Sequence, residues 1–161
     1  MKHLLITTLL AVTFITARAQ DQGFGLGIMV GEPTGISGKL WLGGSNALAM
    51  GLAWGGLGQS GGYFHVHTDY LFHNFSLIPV SSGKLPLHYG PGVRMRFWND
   101  GYEYKGKDRD FDLGVRLPVG LTYMFDEAPV DIFFELVPSL SLIPDTSFDL
   151  DFALGARYWF R

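Results

Sequence analysis

The chain contains no cysteine, which excludes a disulfide scaffold, a thiolate zinc site, a catalytic thiol and an acylated N-terminal cysteine. Charge is scarce as well: Asp, Glu, Lys and Arg make up 17% of 161 residues, against roughly a quarter in a soluble domain. With a net charge of −3 and no cluster of lysine or arginine, there is no footprint for a phosphate backbone, so nucleic acid is not an expected partner. A long apolar run is also missing. The longest, Leu4–Ile15, is about twelve residues, where a helix crossing a bilayer needs roughly 20. The length suits one domain.

What is present begins at the N-terminus. Lys2 and His3 precede the short apolar run, and Ala17-Arg18-Ala19 supplies small residues at both cleavage-recognition positions. Residues 1–19 therefore read as a signal peptide and 20–161 as the exported domain. Loss of Lys2 and Arg18 takes the net charge from −3 to −5.

The chain is rich in glycine, 22 residues, and in aromatics, 15%. It also alternates. Phe64, Val66, Thr68, Tyr70 and Phe72 fall on one face, with His65, His67, Asp69, Leu71 and His73 on the other. Segments 87–98, 111–125, 130–142 and 148–160 repeat the division, and weaker alternation covers 24–30, 36–42 and 48–54. Eight segments of this length match strands that cross a bilayer at a tilt, and an even count brings the first and last together. Large residues crowd the apolar face, while glycine, alanine and the charges share the other, as a narrow interior requires. The expected fold is all-β: an eight-stranded antiparallel up-and-down β-barrel of the transmembrane, outer-membrane type. Pro91, Pro118 and Pro138 oppose it, because a closed barrel has no edge strand to excuse a missing donor.

The ending Gly155-Ala156-Arg157-Tyr158-Trp159-Phe160 resembles the terminal strand of small bacterial outer-membrane β-barrels, although Arg161 follows the aromatic. With Gly31-Glu32-Pro33-Thr34-Gly35-Ile36-Ser37-Gly38-Lys39 and Leu117-Pro118-Val119-Gly120-Leu121, the chain is similar to a family of small exported barrels akin to the OmpA transmembrane domain. The resemblance implies a barrel in the bacterial outer membrane, with membrane lipid and the assembly machinery as partners. It carries no catalytic motif.

His65, His67 and Asp69 have a spacing that two imidazoles and a carboxylate use to hold a metal, but Arg94 and Arg96 on the next segment oppose a cation. We therefore read His65, His67, Asp69, Arg94, Arg96, Arg116, Glu135, Asp151 and Arg157 as a lumen network filling the interior. Glu135 is expected opposite Arg157. No metal, cofactor or catalytic residue is assigned, and a monomer is expected. Tyr102, Glu103, Tyr104 and Lys105, within the charged 99–110 segment, form a candidate loop for contact with a surface protein. The expected role is structural or surface-interacting. The alternatives are a soluble periplasmic barrel binding an apolar ligand inside and a lipid-A-modifying barrel enzyme.

Overall fold

The computed structural model describes residues 22–55, 63–98, 103–104, 107–108 and 110–160. Alternating apolar and polar side chains put every segment in the extended conformation, where successive residues point to opposite faces. The strands are β1 (Phe24–Glu32), β2 (Thr34–Gly43), β3 (Asn46–Gly55), β4 (Tyr63–Asn74), β5 (Leu87–Tyr89), β6 (Gly92–Trp98), β7 (Glu103–Tyr104), β8 (Lys107–Asp108), β9 (Phe111–Arg116), β10 (Val119–Met124), β11 (Val130–Ile143) and β12 (Ser147–Phe160). The expected signal peptide lies outside the described residues.

Ten of these strands form eight staves. β5 and β6 pair with β4 in one continuous register, Phe72↔Tyr89 and Asp69↔Gly92, so they are a single stave interrupted at Gly90-Pro91. Likewise β9 and β10 keep one register against β11, Arg116↔Ser139 and Val119↔Leu136, across the break at Leu117-Pro118. The pairings run antiparallel from β1 through to β12, and β12 returns to β1 from Phe24↔Phe160 to Glu32↔Phe152, which closes the wall.

The connections follow local chemistry. Between β1 and β2 only Pro33 intervenes, and the Thr34 hydroxyl donates to the Gly31 carbonyl at 3.0 Å. The β2–β3 turn places Gly44 at φ +60, a conformation that costs glycine little. The longest described connection, 75–86, is pinned at its base: Lys84 and Met124 exchange backbone bonds of 3.0 and 2.8 Å, and the Asp126 carboxylate accepts from the Gly83 amide at 2.5 Å.

The large apolar side chains face outward. Ile28 is 65% exposed and Leu154 48%, and Val30, Leu52, Phe97, Val115, Phe134 and Leu136 are exposed beside them. Inward positions are buried and mostly polar. A soluble barrel with an apolar interior would need the reverse arrangement. The apolar belt is continuous over the staves; Thr68, a polar residue within it, turns its hydroxyl onto the Ala49 carbonyl at 3.3 Å.

Candidate functional site

The lumen follows from the alternation: every second residue of each stave must point inside, and those positions carry the ionisable side chains. Lys39, Arg94, Arg96, Arg116 and Arg157 are buried there, as are Asp69, Asp112, Asp131, Glu135 and Asp151.

Near the end that bears the β1–β2 and β11–β12 turns, Arg94 donates to Asp149 at 2.6 Å, to Asp151 at 3.0 Å and to the Ser141 hydroxyl at 3.0 Å. Arg96 donates to Asp112 at 3.1 Å and shares Asp149 at 2.9 Å. The Arg96 guanidinium also lies 5.3 Å from the Trp98 ring and 5.6 Å from that of Tyr63, and the Tyr63 hydroxyl donates to Glu32. These are charge-assisted bonds in a site shielded from water, where they are stronger than neutral ones.

In the middle of the lumen, Arg116 Nε lies 3.0 Å from Asp69 Oδ1. His67 Nδ1 is 3.2 Å from His65 Nε2, and His67 Nε2 is 3.8 Å from Asp69 Oδ2. The guanidinium of Arg116 reaches this cluster, 3.5 Å from His65 Nε2, and supplies the positive charge that a metal ion would otherwise bring. Among the described residues no group of three or more His, Asp or Glu side chains forms a metal-ligand set. Beside the cluster, Met29, Ala53, Phe133 and Ala153 pack as an apolar block.

Toward the chain termini, Glu135 lies 3.0 Å from His88 Nε2, and His88 Nδ1 shares a bond of 3.1 Å with Thr122. Lys39 Nζ is 2.6 Å from His73 Nε2 and 4.8 Å from the Trp41 ring centroid. Asp131 accepts from Arg157 Nε and from the Trp159 indole, each at 3.0 Å. Trp41 and Trp159 stack at 6.1 Å, and with Met124, Ala47 and partly buried Phe75 they stopper this end.

The expected Glu135–Arg157 pair is not formed. The β11–β12 turn is tight and sets Ser141 opposite Ser147, so Arg157 falls opposite Asp131 and Glu135 opposite Ala153, four residues from the expected match. The remaining ladder residues sit in the lumen, with Arg94 on Asp151 and Arg116 on Asp69. The sequence reading passed over His73, His88 and Trp41 as network members, although their inward parity was visible in the same alternation; Lys39 and Asp131, which it counted among the interior charges, are buried in the lumen. Ser141 accepts from two arginines, and the Ser139 hydroxyl donates to the Val137 carbonyl at 3.3 Å. In the candidate contact loop, Glu103 and Tyr104 form β7 and pair with β8 as a small hairpin. Tyr102 and Lys105 lie outside the described residues.

No protein-family model matches the chain, and no curated protein matches it. Among solved structures it is similar to the N-terminal β-barrel domain of OprF from Pseudomonas aeruginosa, with a TM-score of 0.58 at 14% identity over 85% of this chain and 95% of that one. At this identity the likeness shows the fold, a β-barrel.

Proposed function

We propose that the chain is an exported outer-membrane β-barrel whose filled, charge-paired lumen makes it a structural or surface-interacting protein, and neither an enzyme nor an open channel. One observation carries the reading: all eight staves turn large apolar side chains outward and sequester their charges inside. In water that arrangement would expose a belt far larger than the apolar patches of soluble monomers. In a bilayer the same belt meets hydrocarbon, and closure satisfies the backbone that lipid cannot. Membrane lipid and, during biogenesis, the assembly machinery are the partners this implies. A monomer suffices, since the wall closes on itself, and the 99–110 segment is the surface offered to another protein.

An eight-staved interior has room for side chains and little else. Here it is occupied by paired guanidinium and carboxylate groups, which argues against conduction. Fractionation followed by gel mobility with and without boiling tests the reading. The protein should be extracted from membranes by detergent and run at a different position when unboiled. In planar bilayers it should give little steady current. Recovery as a soluble protein, or large stable openings, would refute it.

A further inference from the structure

We propose that the proline-bearing part of the wall forms a lateral groove that holds one acyl chain of a bilayer lipid, a site that rests on the membrane reading above. The first observation is in the ladder. Pro91, Pro118 and Pro138 lie on three adjacent staves, and each proline carbonyl accepts a neighbouring amide: Tyr70 to Pro91 at 2.9 Å, Gly90 to Pro118 at 3.2 Å and Leu117 to Pro138 at 2.9 Å. In an antiparallel pair of this kind both residues donate. A proline nitrogen has no hydrogen to return, so the carbonyls of Tyr70, Gly90 and Leu117 lose their ladder donors. Two of the lost bonds share one row across the staves, because Pro91 stands in register with both Tyr70 and Leu117, and Leu117 with Pro138; the third, at Gly90 and Pro118, lies in the adjacent row, where Pro118 is buried toward the lumen.

The second observation is the shape of the outer surface over that line. An open apolar groove of about 770 Å³ runs there, floored by Thr68, Pro91 and Val93 and rimmed by Tyr70, Leu117 and Phe148. The rings of Pro91 and Pro138 are short where the flanking Tyr70 and Leu117 carry long side chains, so the surface dips at each of these two prolines. Even the floor's hydroxyl is withdrawn, since Thr68 spends it on Ala49. Beneath the floor the wall is thin. A Cβ added at Gly92 would meet Asp69 Oδ1 at 1.8 Å, so the backbone of that residue alone stands between the groove and the carboxylate.

The occupant follows from continuity with the belt. The groove opens sideways within the apolar surface that faces hydrocarbon, where water-soluble ligands do not reach. A second barrel would present a convex wall and leave the concavity unfilled, whereas a flexible acyl chain fills it and gains close contact along its length.

The test uses the full chain in vesicles of phosphatidylethanolamine and phosphatidylglycerol, extracted into mild detergent and weighed by native mass spectrometry. The unmodified protein should retain one phospholipid. Val93→Trp, which fills the floor, should lower that occupancy about tenfold or more, while Ile28→Trp on β1, away from the groove, should leave it unchanged. Should Val93→Trp fail to give the folded, unboiled band, Val115→Phe takes its place. Equal occupancy in filled and unfilled barrels, no retained lipid in the unmodified protein, or a barrel dimer that Val93→Trp abolishes would overturn the site. A protein that inserts with unchanged lipid overturns the site alone, and one that never enters the membrane overturns the membrane reading with it.

Discussion

The two halves of the wall are built differently. β11 and β12 pair over twelve consecutive residues without a break, from Val130↔Tyr158 to Ser141↔Ser147. The staves made of β5–β6 and β9–β10 are each interrupted by proline and forgo ladder bonds. Their inward charges also differ. The interrupted staves carry three arginines, Arg94, Arg96 and Arg116, against one acid, Asp112, while the unbroken hairpin carries four acids, Asp131, Glu135, Asp149 and Asp151, against one base, Arg157. Three ion pairs, Arg94 with Asp149, Arg94 with Asp151 and Arg96 with Asp149, cross the lumen from one half to the other. Where the backbone gives up hydrogen bonds, side chains tie the weaker half to the stronger.

The most damaging way to break this arrangement is at Arg94. It is fully buried, and Arg94→Ala strands Asp151 and half-strands Asp149, which should cost about 3–5 kcal/mol. Urea unfolding followed by the unboiled gel band would measure it, and a loss under about 1 kcal/mol would show that the cross-lumen pairs are incidental. Next comes the outer face of the unbroken half. Leu154→Arg, placed mid-stave toward hydrocarbon, should cost about 2–4 kcal/mol in refolding into lipid vesicles; a neutral result would mean that this face does not meet lipid.

A smaller effect is expected within the hairpin's own lumen face. Glu135→Ala removes the partner of His88, while Arg157 keeps Asp131, so the loss should be that of one buried bond, about 1–3 kcal/mol. A loss as large as that of Arg94→Ala would indicate that Glu135 also supports Arg157. The smallest change sharpens the comparison from the weak side. Pro91→Val returns an amide to the Tyr70 carbonyl, worth about 0.5–1.5 kcal/mol. Against that, proline restricts the unfolded chain by about 0.4–1 kcal/mol. The net gain should stay under about 1 kcal/mol, with slower hydrogen exchange at Gly92 and Val93; faster exchange there would mean that the proline itself orders the seam.

Alternation was enough to read eight staves and the side of the wall each residue occupies, because parity depends only on the extended backbone and survives a proline. Ladder bonds do not follow from parity. Pro91, Pro118 and Pro138 counted against closure when each was considered alone, since only pairing shows that they fall in two adjacent rows and that each still accepts a bond. The Glu135–Arg157 expectation failed for a related reason. Register across a hairpin depends on where the turn tightens, and the turn beyond Ile143 is centred earlier than its polar residues suggest. The terminal stopper was legible only in part: Trp159 sat on the inward face of its segment, but its stacking on Trp41, from the second stave, depends on the closure that brings those staves near each other.

That closure has a consequence for how the molecule comes into being. Phe24 pairs with Phe160, so the first stave finds one of its two neighbours only after nearly all of the sequence has been made. Any shorter intermediate has two raw edges, each offering unpaired amides and carbonyls that hydrocarbon cannot satisfy. The chain must be kept apart from its own kind until the last stave arrives, and on the membrane reading proposed above folding and insertion become a single event.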